Sequence, residues 1–445
     1  MQNNLLKKAL IVSLSFMLLV ISAGLSTGKQ VSANSNTQVD TKQTLKVLYK
    51  EKYYFDQNLF KQQFPNTEIQ EVIWDGKSDL QAFIAKQSPD VVMLNTLEYK
   101  QLSKENQLTE LGPLIKRDNY DTATIYPGLL DALTINKKLF GLSPNFNTES
   151  IFYNVDLFKK YNVPLPKDGM TWEDILKLAA KFPTKGSKDT RVWGLHYPLD
   201  NYTYLINDIA NSEGLTRYNP NTLKVTINTA AWKKVYSMAI TAIKSNTIEG
   251  SNSGGKGFDK NPFIMGRAAM IVSTASLDTL RSVTADKAAI PNYKPFTIKI
   301  AAGPADPKDR GETRNVMLPS IMAIPAGSAN KDLAWDFIKY YNGVDFAKSG
   351  SALRPNYSLS RMDNSKEYKG ISLEAFYTLK PNLEFTPYLN PIGIPFNNSQ
   401  YSTILHSEVK QVLNNKKTLD KALVSIQTQV QKSLNEAVKK QKAGK

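Results

Sequence analysis

Few residues in this sequence have the types and spacing that catalysis requires. Glu98, Glu149 and Asp200 are carboxylates of the kind that flank a glycosidic bond in a glycoside hydrolase, but no pattern in the chain pairs any two of them. The 445 residues contain no cysteine and only two histidines, His196 and His406, which lie far apart. We therefore predict a protein that is not an enzyme and that has no cysteine-based site, no metal and no cofactor.

One near-motif for phosphate binding lies in a Gly/Ser-rich segment. Gly250, Gly255 and Lys256 have the spacing of a nucleotide-binding loop, but Gly257 stands where a Ser or Thr must hold magnesium. No strand is predicted immediately before these residues. The segment is therefore interpreted as a surface loop.

Residues 1–33 have the three parts of a secretory signal peptide. Two lysines precede an apolar run at 9–25, and Val31 and Ala33 place small residues where a signal peptidase cuts. Cleavage after Ala33 would make Asn34 the first residue of the exported chain. The alternative is a retained membrane anchor, because the run approaches the ~20 residues that a spanning helix needs.

The charge of the chain is strongly positive and mostly due to lysine. The formal net charge is +16, of which the leader accounts for +3, leaving +13 for the exported chain. The densest cluster is at 439–445, and no zinc-finger, basic-zipper or RNA-binding pattern accompanies it. The charge predicts association with an anionic cell wall and no binding of nucleic acid.

Beyond a polar, flexible lead-in at 34–43, buried strands alternate with amphipathic helices. The predicted strands are 44–49, 68–74 and 90–94, and the predicted helices are 55–64 and 79–87. Such alternation is typical of parallel sheets with helical crossovers. Further helices are predicted at 171–182, where Thr171 and Asp174 form a capping box, and at 229–245 and 418–440.

Five segments in a fixed order carry a family resemblance. They are "SPDVVMLNTLEYKQL", "LFGLSPNFNTESIFYN" with the following "TWED", "NPFIMGRAAMIVS", "IMAIPAGSANKDLAWDFIKYYN" and "LRPNY". In this order they resemble the extracellular solute-binding protein family that serves sugar-importing ABC transporters. The block at 139–182 is the most specific part, and the resemblance covers essentially the whole exported chain.

The resemblance implies an α/β fold of the periplasmic-binding-protein type, with two lobes, hinge crossovers and a ligand cleft between the lobes. Lobe 1 is expected to contain 40–143 and 297–345, and lobe 2 is expected to contain 150–296 and 350–440. The chain is expected to be a monomer. Closure of the lobes around a ligand would shift a hinge equilibrium that a membrane permease can detect.

The function implied is the capture of a carbohydrate, expected to be an oligosaccharide, for an ABC importer. The alternative is a secreted or surface glycan-binding protein or adhesin of the same fold without a transport role. Relatives with a single membrane usually carry a lipid on a cysteine after the leader, which this chain lacks. We therefore predict an exported, non-lipidated protein of the cell envelope or the medium.

Site residues are carried over where positions match the family pattern. Asn147 stands where relatives often have an acid, and Ser276 stands near the place of a tryptophan that stacks on a sugar ring. Trp193 is a further candidate for stacking on a sugar, and core packing is the alternative for it and for each of the other aromatic candidates. The predicted ligand-binding residues are Trp74, Asn95, Glu98, Asn147, Tyr202, Tyr204, Ser276, Arg354 and Tyr401.

The basic residues expected near the cleft bear on the charge of the ligand. They are Lys50, Lys52, Arg314 and Arg354. If they face the cleft, an acidic oligosaccharide such as a uronate is a candidate beside a neutral one. If they lie on outer surfaces, the ligand is neutral.

Overall fold

The fold is known from a computed structural model of the chain. It describes residues 42–50, 57–76, 78–187, 190–197, 202–250, 261–274, 277–287, 293–349, 358–362, 366–383 and 398–443. The leader, Lys52, Asp200, Ser276, Arg354 and most of the near-motif after Gly250 lie outside the described residues. Within those ranges, no helix combines the length and the apolar character that a membrane crossing needs.

The described residues alternate between short strands and helices along the chain. The strands are β1 Gln43–Tyr49, β2 Thr67–Ile73, β3 Val91–Leu94, β4 Thr134–Ile135, β5 Lys138–Leu139, β6 Gly141–Leu142, β7 Asn145–Asn154, β8 Trp193–His196, β9 Ile248–Glu249, β10 Ala268–Thr274, β11 Ile298–Ala302, β12 Glu312–Thr313, β13 Val316–Met317, β14 Ile321–Ala323, β15 Ser358–Leu359, β16 Glu367–Tyr368, β17 Ile371–Ser372 and β18 Lys380–Pro381. The helices are α1 Gln57–Gln63, α2 Leu80–Gln87, α3 Thr96–Lys104, α4 Gly112–Arg117, α5 Pro127–Leu133, α6 Val155–Lys160, α7 Trp172–Ala179, α8 Thr203–Ser212, α9 Ala230–Lys244, α10 Leu277–Thr284, α11 Lys331–Tyr341, α12 Val344–Lys348, α13 Asn398–Leu413 and α14 Leu419–Ala443. The predicted strands and helices are therefore confirmed wherever they fall on described residues.

The first sheet has the order β2-β1-β3-β14-β6. Strands β2, β1 and β3 are parallel, and β14 runs antiparallel to β3. Leu45, Val47, Leu48 and Tyr49 of β1 are all buried because helices cover both faces of the sheet. Trp335 and Phe60 lie in the core on one face of the sheet.

The second sheet has the order β11-β7-β10-β8-β9. Strands β10, β8 and β9 are parallel, and β7 runs antiparallel to β10 and to β11. Its largest core contains Trp172 and Trp232, together with the apolar faces of α8, α9, α13 and α14. The long C-terminal helix thus buries its apolar stripe in its own lobe, which is the ordinary use of such a stripe.

One predicted lobe boundary needs correction. The strand β11 was assigned to lobe 1, but Ile298–Ala302 pairs with Asn154–Ser150 of β7 in the second sheet. The chain therefore returns to the first sheet only after this strand, and β14 is the returning element. The other lobe boundaries remain predictions.

Candidate functional site

The segments that connect the two sheets determine which edges face each other. The first part of β7 pairs with β13, with Met317 opposite Asn147, and with β15, with Ser358 opposite Phe146. At one end, β14 begins opposite Leu94, at the carboxyl end of β3. At the other end, Glu149 of β7 lies opposite Thr274, at the carboxyl end of β10. The crossovers therefore join the carboxyl edges of the two sheets, which is where ligands bind in open α/β folds.

Four of the residues that the sequence singled out meet at the carboxyl edge of the first sheet. Lys50 follows β1, Trp74 follows β2, and Asn95 and Glu98 follow β3. The Lys50 ammonium group lies 5.8 Å from the centre of the Trp74 ring, and its charge acts on Glu98. The structure thus brings these residues together as the sequence implies.

Asn95 and Glu98 are also a helix cap. The Asn95 side-chain oxygen accepts hydrogen bonds from the backbone N–H groups of Leu97, at 2.9 Å, and Glu98, at 3.0 Å. The Glu98 carboxylate in return accepts one from the backbone N–H of Asn95 at 2.9 Å. Burial raises the pKa of Glu98, although this N–H and the Lys50 charge act in the opposite direction. Both side chains therefore have a structural role at the edge of the cleft.

Trp74 is held more rigidly than a free stacking platform. Its side chain is 8% exposed, and its indole N–H donates to the backbone oxygen of Ser78 at 3.1 Å and to the Ser78 hydroxyl at 2.9 Å. The Ser78 hydroxyl donates to Asp75 at 2.8 Å. This placement agrees with the core-packing alternative for Trp74.

Asn147 lies on the hinge strand where the three crossovers run side by side. Its side-chain oxygen is buried and has no hydrogen-bond partner among the described residues. A buried acceptor without a partner loses its hydration at a cost of about 1–3 kcal/mol, so a ligand donor would satisfy a real requirement here. Asn147 is the predicted site residue with the clearest unmet hydrogen-bonding capacity.

Two residues further along the same face of β7, Glu149 belongs to a polar network that the sequence did not reveal. Its carboxyl group accepts a hydrogen bond from the Asn315 amide, and Asn211 of α8 donates to the Asn315 oxygen at 2.6 Å. Burial raises the pKa of Glu149 well above its usual range, and the neighbouring Asp208 carboxylate raises it further. The Glu149 carboxyl group is therefore protonated more readily than that of an ordinary glutamate. No local pattern connects these residues, since Glu149 and Asn315 are 166 positions apart.

Arg314 is not available to an acidic ligand in this structure. Its guanidinium lies 2.6 Å from Asp306, and the two side chains are 13% and 2% exposed. The Arg314 carbonyl accepts a hydrogen bond from Asn211 at 3.2 Å. Arg314 thus stabilises the returning crossover, which argues against the first of the two alternatives for this residue.

The aromatic candidates of lobe 2 have different environments. Tyr401 is 1% exposed, and the Arg217 guanidinium covers its ring at 4.2 Å, so the ring packs the core and cannot stack on a sugar. Trp193 is likewise in the core, under Arg191 at 3.3 Å. Both placements correct the idea of a stacking role for these rings.

The remaining two tyrosines lie where the chain enters α8. Tyr202 stacks on His406 with ring centres 4.8 Å apart, which leaves only part of its ring free. Tyr204 is 58% exposed. Tyr204 therefore has the most accessible ring of the aromatic site candidates.

The histidines do not form a catalytic or metal site. His196 is fully buried and pairs with Glu249 at 2.8 Å, while His406 stacks on Tyr202. Among the described residues, no group of three or more His, Cys, Asp or Glu side chains could hold a metal ion. Apart from the histidines, the structure places two residues at the hinge that the sequence did not indicate as site residues, Asn211 and Asn315.

Comparison with known families decides the class of the protein. The profile of the family described as bacterial extracellular solute-binding protein matches residues 38–346, which is more than half of the chain. The chain belongs to this family. The family consists of solute-binding receptors rather than enzymes, in agreement with the sequence prediction.

Solved structures with the same fold cover nearly the whole chain. The sugar-binding protein MalE from Xanthomonas citri has a TM-score of 0.62 at 16% identity, covering 88% of this chain and 98% of its own. An open-conformation sugar transporter from Rhizobium etli has a TM-score of 0.57 at 22% identity, covering 87% and 98%. The GacH receptor of Streptomyces glaucescens, solved unliganded and with acarbose, has a TM-score of 0.52 at 17% identity, covering 88% and 99%. These likenesses confirm the two-lobe fold predicted from the sequence.

Proposed function

We propose that this exported protein captures a neutral carbohydrate between its lobes and delivers it to an ABC importer. The proposal is carried by the family membership of the chain, and the crossovers that join the carboxyl edges of the two sheets support it. Because each edge provides only half of the contacts, a ligand there favours a closed form that a permease can distinguish from the empty one.

The polar groups at the two edges suit a polyhydroxy ligand. Asn147 offers a buried acceptor, and the raised pKa of Glu149 favours its protonated form, which can donate or accept. Binding sites for small polar ligands place a few such groups within a mainly apolar wall. Sugar hydroxyls, which both donate and accept, would meet this requirement.

The charge balance of the described wall favours a neutral sugar over an acidic one. Asp306 neutralises Arg314, and Glu98 lies beside Lys50. The structure therefore supports the neutral alternative that the sequence left open.

A flat apolar surface for the sugar ring is supplied in our proposal by Tyr204. It follows the carboxyl end of β8 and is 58% exposed. Stacking of aromatic surfaces contributes about 0.5–1.5 kcal/mol beyond the area buried. Trp74 would contribute the edge of its ring, since its indole N–H is already used.

Calorimetric titration against a panel of neutral and uronate oligosaccharides tests the proposal. We expect one or more neutral members to bind, and we expect saturation to raise stability by about 2.7 kcal/mol at a hundredfold excess over Kd. Small-angle scattering should show a smaller radius of gyration with the bound sugar. Tight binding without compaction would contradict capture by cleft closure.

Two variants sharpen this test. Tyr204→Ala should weaken binding by about 0.5–1.5 kcal/mol, the value expected for one aromatic contact. The matched control is Tyr161→Ala, because Tyr161 follows α6 at the opposite, amino edge of the β10 strand. Equal loss in both variants would show that Tyr204 has no special contact with the ligand.

The importer is tested separately in cells. A strain that lacks this protein should lose uptake of the sugar identified by calorimetry, and the wild-type chain should restore it. Normal uptake in that strain, together with binding in solution, would favour the alternative of a glycan-binding protein or adhesin without a transport role.

A further inference from the structure

An open groove on lobe 2 has a lysine-rich lining. Its volume is about 530 Å³, and the residues that line it come from the end of α9, the turn between α13 and α14, and the start of α14. They are Lys244, Val412, Asn415, Lys416, Lys417, Thr418, Leu419 and Lys421. Four of these eight residues are lysines, and none is acidic. We name this feature the lysine groove.

Neighbouring acids leave most of this positive charge uncompensated. Glu408 is nearly buried and pairs with Lys417 at 2.6 Å, and Asp420 pairs with Lys233, outside the groove, at 2.5 Å. No ion pair is formed by Lys416 or Lys421 with the described residues, and both side chains are exposed. Lys244 is held by a hydrogen bond to the Asn415 side chain at 2.7 Å. Lys244 and Lys417 are thus held by neighbouring side chains, whereas Lys416 and Lys421 are free to reach a ligand.

The lysine groove lies on the opposite side of the sheet from the ligand cleft. Lys244 ends α9 only four positions before β9, which runs parallel to β8 and β10. The groove is therefore at the amino edge of these strands, whereas the hinge joins their carboxyl edge. Occupation of the groove would leave the cleft open and the lobes free to close.

We propose that the lysine groove binds a linear polyanion of phosphate groups, such as a phosphodiester polymer of the cell envelope. Lysine ammonium groups act as point charges on flexible stems, so they can pair with successive phosphates without a fixed bidentate geometry. The groove is longer than one phosphate needs, since four ammonium groups surround it. Its apolar members, Val412 and Leu419, are buried or half-buried, so the surface lacks the protruding apolar groups that insert into a membrane.

Binding of the secreted chain to long-chain inorganic polyphosphate measures this directly. The three lysines without a paired acid, each adding about 0.7 to the slope of log affinity against log salt, predict a fall of roughly twentyfold between 50 and 200 mM salt. The variant Lys416→Gln/Lys421→Gln should reduce that fall to roughly threefold and weaken binding at low salt. The groove shape should persist, because both side chains are exposed and their backbone hydrogen bonds remain.

A matched control separates a site from overall charge. Lys86 and Lys104 are exposed on lobe 1, and Lys86→Gln/Lys104→Gln removes the same two charges. This control should bind polyphosphate like the wild type. Equal losses in both double variants would overturn the proposal in favour of net charge alone.

Two other probes test the class of partner. Inorganic phosphate at the same phosphate concentration should compete poorly, because one ion uses one or two of the four lysines. Vesicles of phosphatidylglycerol should bind more weakly than polyphosphate. Full competition by inorganic phosphate would indicate a single-ion site, and tighter binding to vesicles would indicate a membrane surface, and either result would overturn the polymer assignment.

Discussion

The two edges that form the cleft are built in different ways. On lobe 1, the contacts are local: Asn95 with Glu98 across three positions, and Trp74 with Ser78 across four. At the hinge and on lobe 2, Glu149 reaches Asn315 across 166 positions, and Asn211 reaches the same residue across 104. The first edge can form within one folded segment, whereas the second needs three segments to meet. The hinge side therefore depends on contacts between segments that are far apart in the sequence.

The same difference appears in the two buried acids. Burial raises the pKa of both Glu98 and Glu149, but Lys50 and a backbone N–H oppose the rise at Glu98. At Glu149 a second carboxylate, Asp208, adds to the rise. The first edge thus compensates its acid with a positive charge, whereas at the second edge a neighbouring carboxylate favours protonation of the acid.

The largest expected effects compare the cores of the two lobes. Trp335→Ala in lobe 1 and Trp172→Ala in lobe 2 should each lower the free energy of unfolding by about 3–5 kcal/mol, because both side chains are fully buried. Substitution by phenylalanine distinguishes the two tryptophans. The Trp335 indole donates to Asp118 at 2.9 Å, whereas the Trp172 indole N–H has no partner among the described residues.

Trp335→Phe should therefore cost about 1.5 kcal/mol more than Trp172→Phe, the low end for a hydrogen bond to a charged group. Urea unfolding followed by circular dichroism measures all four variants. Equal costs for the two phenylalanine variants would show that the Asp118 contact adds nothing to stability.

The next effect compares two ion pairs of the returning crossover. Arg314→Gln leaves Asp306, which is 2% exposed, without its cation, and should cost about 3 kcal/mol. Arg310→Gln breaks the pair with Asp174, in which the Arg310 side chain is 59% exposed and the Asp174 side chain is 27% exposed. This change should lower the free energy of unfolding by no more than about 1 kcal/mol. The same two purified variants can be titrated with neutral and uronate oligosaccharides to measure their affinity.

If Arg314 only stabilises the crossover, its variant should bind neutral and acidic sugars in the same ratio as the wild type. A selective loss of uronate binding in Arg314→Gln would restore the acidic-ligand interpretation. Arg310→Gln controls for any general effect of lost positive charge.

The pH dependence of stability distinguishes the two buried acids. Because the pKa of Glu149 is higher in the folded state than in the unfolded state, its contribution is fully present below the unfolded pKa and is lost as pH rises through the folded pKa. Glu149→Gln should therefore reduce the loss of unfolding free energy that occurs as the pH rises above 4.5. Glu98→Gln should reduce it less, since Lys50 partly opposes the shift.

Unfolding free energies of the two variants and the wild type from pH 4.5 to 8 provide the measurement. Gln retains the hydrogen-bonding shape of a protonated carboxyl group, so neither variant should fold differently. A steeper or unchanged slope in Glu149→Gln would show that this acid is ionised in the native protein.

The sequence predicted those parts of the molecule in which local chemistry determines structure. The strand and helix alternation at 44–94, the capping box at Thr171 and the amphipathic C-terminal helix all follow from patterns within a few residues. Glu98 was predicted to bind ligand from the family resemblance of the loop that follows the strand at 90–94. The Glu149 network could not be predicted, because it forms only when segments far apart in the sequence meet. Strand β11 was assigned to the wrong lobe because an apolar strand fits either sheet until its partner is known.

The smallest expected effect asks whether Asn95 is more than a cap. Asn95 and Thr171 each cap a helix through a complete capping box, one on each lobe. Replacing either by alanine should cost about 1 kcal/mol of stability through the lost cap, as measured by urea unfolding. Only Asn95 lies at the carboxyl edge that faces the cleft, so Asn95→Ala should also weaken sugar binding if its amide N–H₂ group contacts the ligand. Thr171→Ala should leave binding unchanged. Asn95 accepts the capping bonds with its oxygen, and its amide N–H₂ group also faces the Glu98 carboxyl group, so aspartate would keep the cap while removing these donors. Asn95→Asp should then keep the cap and lose affinity. If it keeps both, Asn95 serves only the helix, and the polar contacts of this edge must come from elsewhere.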